Sequence, residues 1–140
     1  MNQYGAAIRA ASPDDRDAVI ALWEAAGLTR PWNDPHTDFA LALKNPTSAV
    51  LLAIDGERLQ GCVMAGFDGH RGWVYYLATD PDSRGRGIGR ALMAAAEDWL
   101  KALDSPKIQL MVRDDNAAAR GFYDALGYEL QDVVTLGKRL

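Results

Sequence analysis

The sequence predicts an α/β (α+β) domain built on one mixed sheet with helices on its faces, and three observations predict it. The chain has 140 residues, the length of one domain and enough to bury its own core without disulfides or metals. Its hydrophobic fraction of 49% and charged fraction of 24% match ordinary globular domains, against disorder, collagen-like repeats or coiled coil. Strand-like and helix-like stretches then follow one another in the order β-α-α-β-β-β-α-β-α-β, which layers helices on a sheet. No internal repeat, low-complexity tract or linker divides the chain, so residues 1–140 read as a single domain.

Each element has a local cause. Ala6 to Ala10 is a short apolar stretch and reads as the first strand. Ser12-Pro13-Asp14-Asp15 supplies an N-cap, a proline at the first helical position and acids near the dipole's positive end. Val19, Leu22, Trp23 and Ala26 then form one helical stripe, which Gly27 ends. Leu28 to Pro35 reads as a loop, and His36 to Lys44 as a weaker helix stopped by Asn45-Pro46. Val50 to Ile54 and Leu59 to Phe67 make a hairpin about Asp55-Gly56. Trp73 to Thr79, aromatic and apolar throughout, reads as a central strand. A long helix follows, with Ile88, Ala91, Leu92, Ala95, Trp99 and Leu103 at helical spacing. Ile108 to Val112 reads as a strand and Asn116 to Leu126 as a helix, with Ala119, Phe122 and Leu126 facing in and Gly127 at C′. Tyr128 to Leu136 supplies the last strand or pair of strands.

Composition removes several classes of function. Fifteen basic and nineteen acidic residues leave a net charge of −4, so nucleic acid is a poor partner. Cys62 is the single cysteine, which forbids an internal disulfide and fits a reducing compartment. His36, Cys62 and His70 have no recognised metal-ligand spacing, so no metal is expected. No apolar run approaches a membrane span, and the first residues lack the charged and apolar regions of a signal peptide. The expected location is cytoplasmic.

The chemistry concentrates in Arg84-Gly85-Arg86-Gly87-Ile88-Gly89-Arg90. Glycines free the backbone from Cβ atoms, and the following helix starts with amides that have no intrahelical partner. Three arginines lie within seven residues of an acidic chain. Together they describe a seat for a multiply charged phosphate. The Gly-Lys-Ser/Thr ending of a P-loop is missing, and so is the Gly-x-Gly-x-x-Gly dinucleotide pattern. The plainer alternative is a glycine-rich helix start with solvated arginines.

Leu77-Ala78-Thr79-Asp80-Pro81-Asp82-Ser83-Arg84-Gly85-Arg86-Gly87-Ile88-Gly89 resembles the acetyl-CoA motif of the GNAT N-acetyltransferases, Arg/Gln-x-x-Gly-x-Gly/Ala between a strand and a helix. Leu110, Val112, Asn116, Ala119, Phe122-Tyr123 and Gly127-Tyr128 resemble the family's later strand-helix-strand. Arg30 to Pro35, Asp68 to Gly72 and Leu136 to Leu140 are similar to the YpeA subgroup of bacterial GNAT proteins. The resemblance implies a mostly antiparallel sheet splayed at the acetyl-CoA site. It also implies direct acetyl transfer to a primary amine in a ternary complex, with acetyl-CoA as cosubstrate.

By that resemblance the backbone of Gly85, Arg86, Gly87, Ile88, Gly89 and Arg90 holds the pyrophosphate, and Arg84 and Arg86 add charged contacts. Leu77, Ala78 and Thr79 pair with pantetheine, the Leu77 and Ala78 backbone polarising the thioester carbonyl. Asn116 binds the cofactor near its pantetheine or thioester end, Ala119 is a further cofactor-binding residue, and Tyr123 binds the cofactor and acts as general acid. A phenol near pKa ~10 protonating a thiolate near ~8.5 runs uphill by only about 2 kcal/mol. Tyr123 also reads as a core aromatic, and Cys62 as a small core residue.

The acceptor side is read less sharply. Relatives often carry a carboxylate on the strand before the loop, where this chain has Trp73-Val74-Tyr75-Tyr76. The base is therefore sought among Asp34, Asp68, His70 and Glu24, with His70 favoured by its pKa near ~6.5. Trp32, Asn33, Asp34, Asp68 and His70 are the acceptor-binding candidates, and each also reads as a loop or turn residue. The expected partner is a small-molecule or protein amine, without nucleic acid or membrane, for a monomer or homodimer. A non-catalytic acyl-CoA-binding module is the alternative function.

Overall fold

The computed structural model describes residues 7–140; Ala6, expected in the first strand, lies outside them. The chain forms two compact units divided after Leu110. In the first, β1 (Ala7–Ala10), α1 (Arg16–Ala25), α2 (Pro35–Lys44), β2 (Ser48–Asp55), β3 (Arg58–Phe67), β4 (Gly72–Thr79), α3 (Ile88–Ala102) and β5 (Ile108–Gln109) follow in order. Their sheet runs β1-β2-β3-β4-β5. The first three pairings are antiparallel and β4 with β5 is parallel.

Local signals account for the helix ends. Pro13–Asp15 forms a 3-10 turn, so the expected first helix begins its α-turns only at Arg16. Gly27, at φ +73°, closes α1: its amide bonds to Glu24 O, and the amide of Leu28 bonds to Trp23 O. Pro35, expected in the loop, is the first residue of α2 behind the N-cap Asp34. The β2–β3 turn is Gly56-Glu57, one residue later than expected, because Asp55 pairs with Arg58.

Both faces of the sheet are covered. On one, Val19 and Trp23 of α1 and Phe39 and Ala42 of α2 bury Val50, Leu52, Cys62 and Ala78. On the other lies α3, close enough that a Cβ on Gly61 would stand 2.8 Å from Ile88 and 2.9 Å from Leu92. The buried line of α3 is Ile88, Leu92, Met93, Ala96 and Leu100. This is rotated from the expected stripe, leaving Ala91, Ala95, Trp99 and Leu103 at its half-buried flank. Arg90, Glu97, Asp98 and Lys101 line the opposite side, and the apolar arc between them is wide enough that either flank can be the buried one.

Strand β3, not β4, occupies the middle of the sheet. Beside β4, β5 is shorter than the expected 108–112, and pairs only as Gly72 with Ile108 and Trp73 with Gln109. Among the described residues the two strands pair no further than Trp73. The rest of that β4 edge has no strand partner among the described residues.

The second unit, 111–140, holds α4 (Ala117–Ala125). Asn116 caps it by accepting the Ala119 amide at 3.0 Å. Gly127, at φ +90°, closes it, with the Tyr128 amide on Tyr123 O at 3.0 Å. Ala119, Phe122 and Leu126 are half-buried, as expected of the inward face. The strand expected over 128–136 does not form. A run of β-branched residues becomes a strand only beside another, and this unit contains none. Among the described residues, no helix is long and apolar enough to cross a membrane.

Candidate active site

The passage from β4 to α3 is fixed from below. The Asp80 amide donates to Gln60 O at 2.8 Å. The Asp80 carboxylate accepts the Asp82 amide at 3.0 Å and the Arg58 guanidinium at 2.8 Å. Arg58 is the main cause holding that carboxyl below its usual range. Ser83 is buried beside it. Above this anchor Gly85 takes φ +81° and Gly87, the N-cap of α3, takes φ +75°. These left-handed conformations suit glycine. A Cβ on either would meet nothing within 4 Å, so the loop's outer side is open.

The first amides of α3 have no intrahelical partners, and no acidic residue lies in its first turn. Arg84, Arg86 and Arg90 are exposed and make no ion pair or side-chain hydrogen bond among the described residues. The geometry is a ready seat for a polyanion. Just upstream, Leu77, Ala78 and Thr79 lie on the free edge of β4. Their other edge pairs with β3, through Cys62 with Ala78 and Gly61 with Thr79.

Immediately before Leu77 the register slips. Cys62 pairs with Ala78 and Met64 with Tyr75, so Tyr76 and Leu77 together face one residue of β3. This is a β-bulge, and Tyr76 takes φ +53°, a costly conformation for a residue with a Cβ. Packing holds it there. The ring stacks on Trp23 with centroids 4.0 Å apart, and the hydroxyl donates to Asp38 Oδ2 at 2.6 Å. Burial, then Asp38, raises the phenol well above its ordinary pKa. Sequence reasoning missed this pair. Two adjacent tyrosines breaking the strand alternation were the available signal for a bulge; nothing along the chain linked them to Asp38.

The remaining candidates fall in several places. Asp34 caps α2, accepting the His36 amide at 2.9 Å and the Thr37 hydroxyl at 3.0 Å, which lower its pKa. Trp32 is 57% exposed, and the Asn33 amide bonds to Arg30 O. Glu24 is exposed on α1. Asp68 Oδ1 accepts the amides of His70 and Arg71, both at 2.8 Å, and they lower its pKa. The His70 side chain is exposed on that turn. A cleft of about 660 Å³ opens here, its walls including Asn45, Thr47, Phe67, Asp68, Trp73 and Tyr75. Of the expected acceptor residues it takes in Asp68 alone. Cys62 is fully buried, and burial pushes its thiol up to about 12, so it stays protonated at neutral pH.

In the second unit Asn116 spends its side-chain oxygen on the α4 cap. Tyr123 lies half-buried between Phe122 and Tyr128, with ring centroids at 5.0 and 5.7 Å. Burial raises its pKa, keeping the phenol protonated across the physiological range.

Comparison with known proteins agrees with this geometry. An acetyltransferase of Pectobacterium atrosepticum is 50% identical over 133 residues, covering 95% of this chain and 94% of that protein. The fold matches a solved AAC(6')-Iy, in complex with the bisubstrate analogue CoA-S-monomethyl-acetylneamine, at a TM-score of 0.83 and 18% identity, covering 96% of this chain and 99% of that one. It also matches a predicted acetyltransferase of Clostridium acetobutylicum with acetyl-CoA at a TM-score of 0.79 and 18% identity, over 94% and 96% of the two chains. The family model for the acetyltransferase (GNAT) family spans residues 16–128. With its mixed five-stranded sheet, open glycine-arginine loop and half-identical relative, the chain belongs to the GNAT family of acetyltransferases.

Proposed function

We propose that this acetyltransferase moves acetyl from acetyl-CoA directly onto a primary amine, within one ternary complex. One passage carries the reading: the unpaired β4 edge at Leu77–Thr79 leads straight into helix-start amides flanked by three unpartnered arginines. The amides from Gly85 to Arg90, with Arg84 and Arg86, take the pyrophosphate. Leu77, Ala78 and Thr79 offer backbone partners to pantetheine, and the Leu77–Ala78 backbone offers a donor to the thioester oxygen. Asn116, Ala119 and Tyr123 serve the thioester end.

The chemistry balances with one proton released. An ammonium loses a proton, its lone pair attacks the thioester carbon, the N–C bond forms and the C–S bond breaks. The nitrogen sheds a second proton while the departing thiolate takes one from Tyr123, which regains a proton from solvent, so one proton is released in all. Cys62, buried and protonated, gives no support to an acyl-enzyme route.

The deciding experiment is thiol release from acetyl-CoA with and without a pool of amines: neamine, polyamines and a lysine peptide. Acceptor-dependent release is expected. An acetyl-CoA-induced rise in melting temperature without any release instead establishes the acyl-CoA-binding module.

A further inference from the structure

Strand β4 carries an aromatic strip on the face covered by α1 and α2. Met64 and Tyr76 both pack against that helical core, and Tyr75 pairs with Met64, so the bulge turns both tyrosines to one side. Trp73 pairs with Gly66, two residues further along, and its ring stands nearly parallel to that of Tyr75, 17° apart in plane with centroids at 6.5 Å. A carboxylate sits at each end of this strip. At one end Asp38 Oδ2 accepts the Tyr76 hydroxyl, and Oδ1 accepts no hydrogen bond among the described residues. At the other, Asp68 shares the cleft with Trp73 and Tyr75 and is held ionised by its own turn.

The charge of Arg30 acts weakly on Tyr76, and its Nη1 donates to the carbonyls of Gly27 and Thr29 at 2.8 and 2.9 Å. It forms no ion pair with Asp38. The strip therefore offers two anionic ends joined by π-faces, which suits two cations separated by a flexible apolar spacer. From Trp73 to Tyr76 the strand advances roughly 10 Å at ~3.3 Å per residue, about the reach of an extended polyamine.

We propose that the acceptor is an elongated aliphatic di- or polyamine. Its reacting ammonium rests on Asp38 and the Tyr76 hydroxyl, next to the Leu77 backbone, and its distal ammonium rests over Trp73 and Tyr75 beside Asp68. The inference rests on the transferase reading and names that site's substrate class. Tyr76 is a binding residue here, and Asp38 both binds the ammonium and positions the hydroxyl.

The test compares thiol release with spermidine and cadaverine against n-butylamine, n-octylamine and neamine. The diamines are expected to exceed the monoamines about tenfold or more in kcat/KM, the usual worth of one added charged contact. Asp68→Asn keeps an oxygen for the two turn amides, so the turn persists. It is expected to erase the diamine advantage. Asp38→Asn and Tyr76→Phe, which keeps the stack on Trp23, should raise the amine KM about tenfold with kcat and acetyl-CoA affinity nearly unchanged. Asp38→Asn should also flatten the rise of KM with salt, a response that mere loosening of the fold does not produce.

Release with neamine alone overturns the polyamine inference and leaves the transferase standing. Monoamines matching diamines, or an Asp68→Asn protein that keeps the diamine preference, overturns it as well. No release with any amine overturns the transferase reading. The inference is then read from saturation-transfer NMR of spermidine with CoA present: loss of signal in Asp38→Asn supports it, and an absent or unaltered signal overturns it.

Discussion

Single atoms decide several properties of this chain. Gly72 shows it in the core: a Cβ there would stand 2.8 and 2.9 Å from the two Leu100 methyls and 2.9 Å from Lys107 O. The methyls can swing aside, but that carbonyl accepts the Gly72 amide at 2.9 Å and cannot. Gly72→Ala should cost about 1–3 kcal/mol in denaturant melts. Gly66→Ala, whose nearest neighbour is an ordinary 3.5 Å away, should cost far less. In the loop, Gly87→Glu places a carboxylate in the open space above the α3 amides and should abolish acetyl-CoA binding by calorimetry. Unchanged affinity refutes the phosphate seat. Tyr123→Phe should lower turnover well below any change in cofactor affinity; equal turnover returns Tyr123 to a packing role. At this scale the loop glycines were legible along the chain as backbone open to a ligand, and the left-handed φ of Gly85 and Gly87 adds a second reason for two of them. Tyr76 was not, since its unusual φ is enforced by Trp23 and Asp38, distant in sequence.

Elements were legible where a local cause exists and misread where the cause is another element. The Schellman closures at Gly27 and Gly127 and the α2 stop before Pro46 follow from residues within one turn. The phase of α3, the length of β5 and the fate of 128–136 depend on what lies alongside, which periodicity does not encode. The clasp between β1 and the turn before α1 is a case in point. Arg9 grips Asp15 through two bonds at 2.8 and 2.9 Å, and Asp15 also accepts the Ser12 amide at 2.8 Å. Arg9 is the largest cause lowering the Asp15 carboxyl to about 2. A depressed carboxyl stabilises the fold above its unfolded pKa near ~3.9, and the contribution disappears as pH falls from there toward the folded value. Arg9 is half exposed, so screening reduces the clasp to on the order of 1 kcal/mol at neutral pH. Arg9→Ala should lose about that much in melts at pH 7, and the difference from the parent should close between about pH 4 and pH 2. A gap that persists at low pH refutes the ionic clasp.

At the scale of the molecule, an acidic chain presents a basic seat. The net charge of −4 works weakly against a polyanionic cosubstrate, while Arg84, Arg86 and Arg90 gather positive charge at one helix start. Distance and screening decide between them. The Debye length is about 10 Å at 0.1 M salt, so most of the distributed negative charge lies beyond it, whereas guanidinium groups in the seat act at contact range. Attraction should therefore prevail at physiological ionic strength and weaken with added salt. Binding to the folded state alone stabilises by RT ln(1 + [L]/Kd), about 2.7 kcal/mol at a hundredfold excess over Kd. That corresponds to a rise in Tm of roughly 5–15 °C for a chain of this size. Thermal melts with acetyl-CoA should show such a rise, smaller at 0.5 M than at 0.05 M sodium chloride. Arg86→Ala should lower the acetyl-CoA affinity and reduce its salt dependence by roughly a third, if each of three like charges contributes comparably. A shift that ignores salt in both proteins assigns the seat to backbone amides alone and removes the arginines from the binding account.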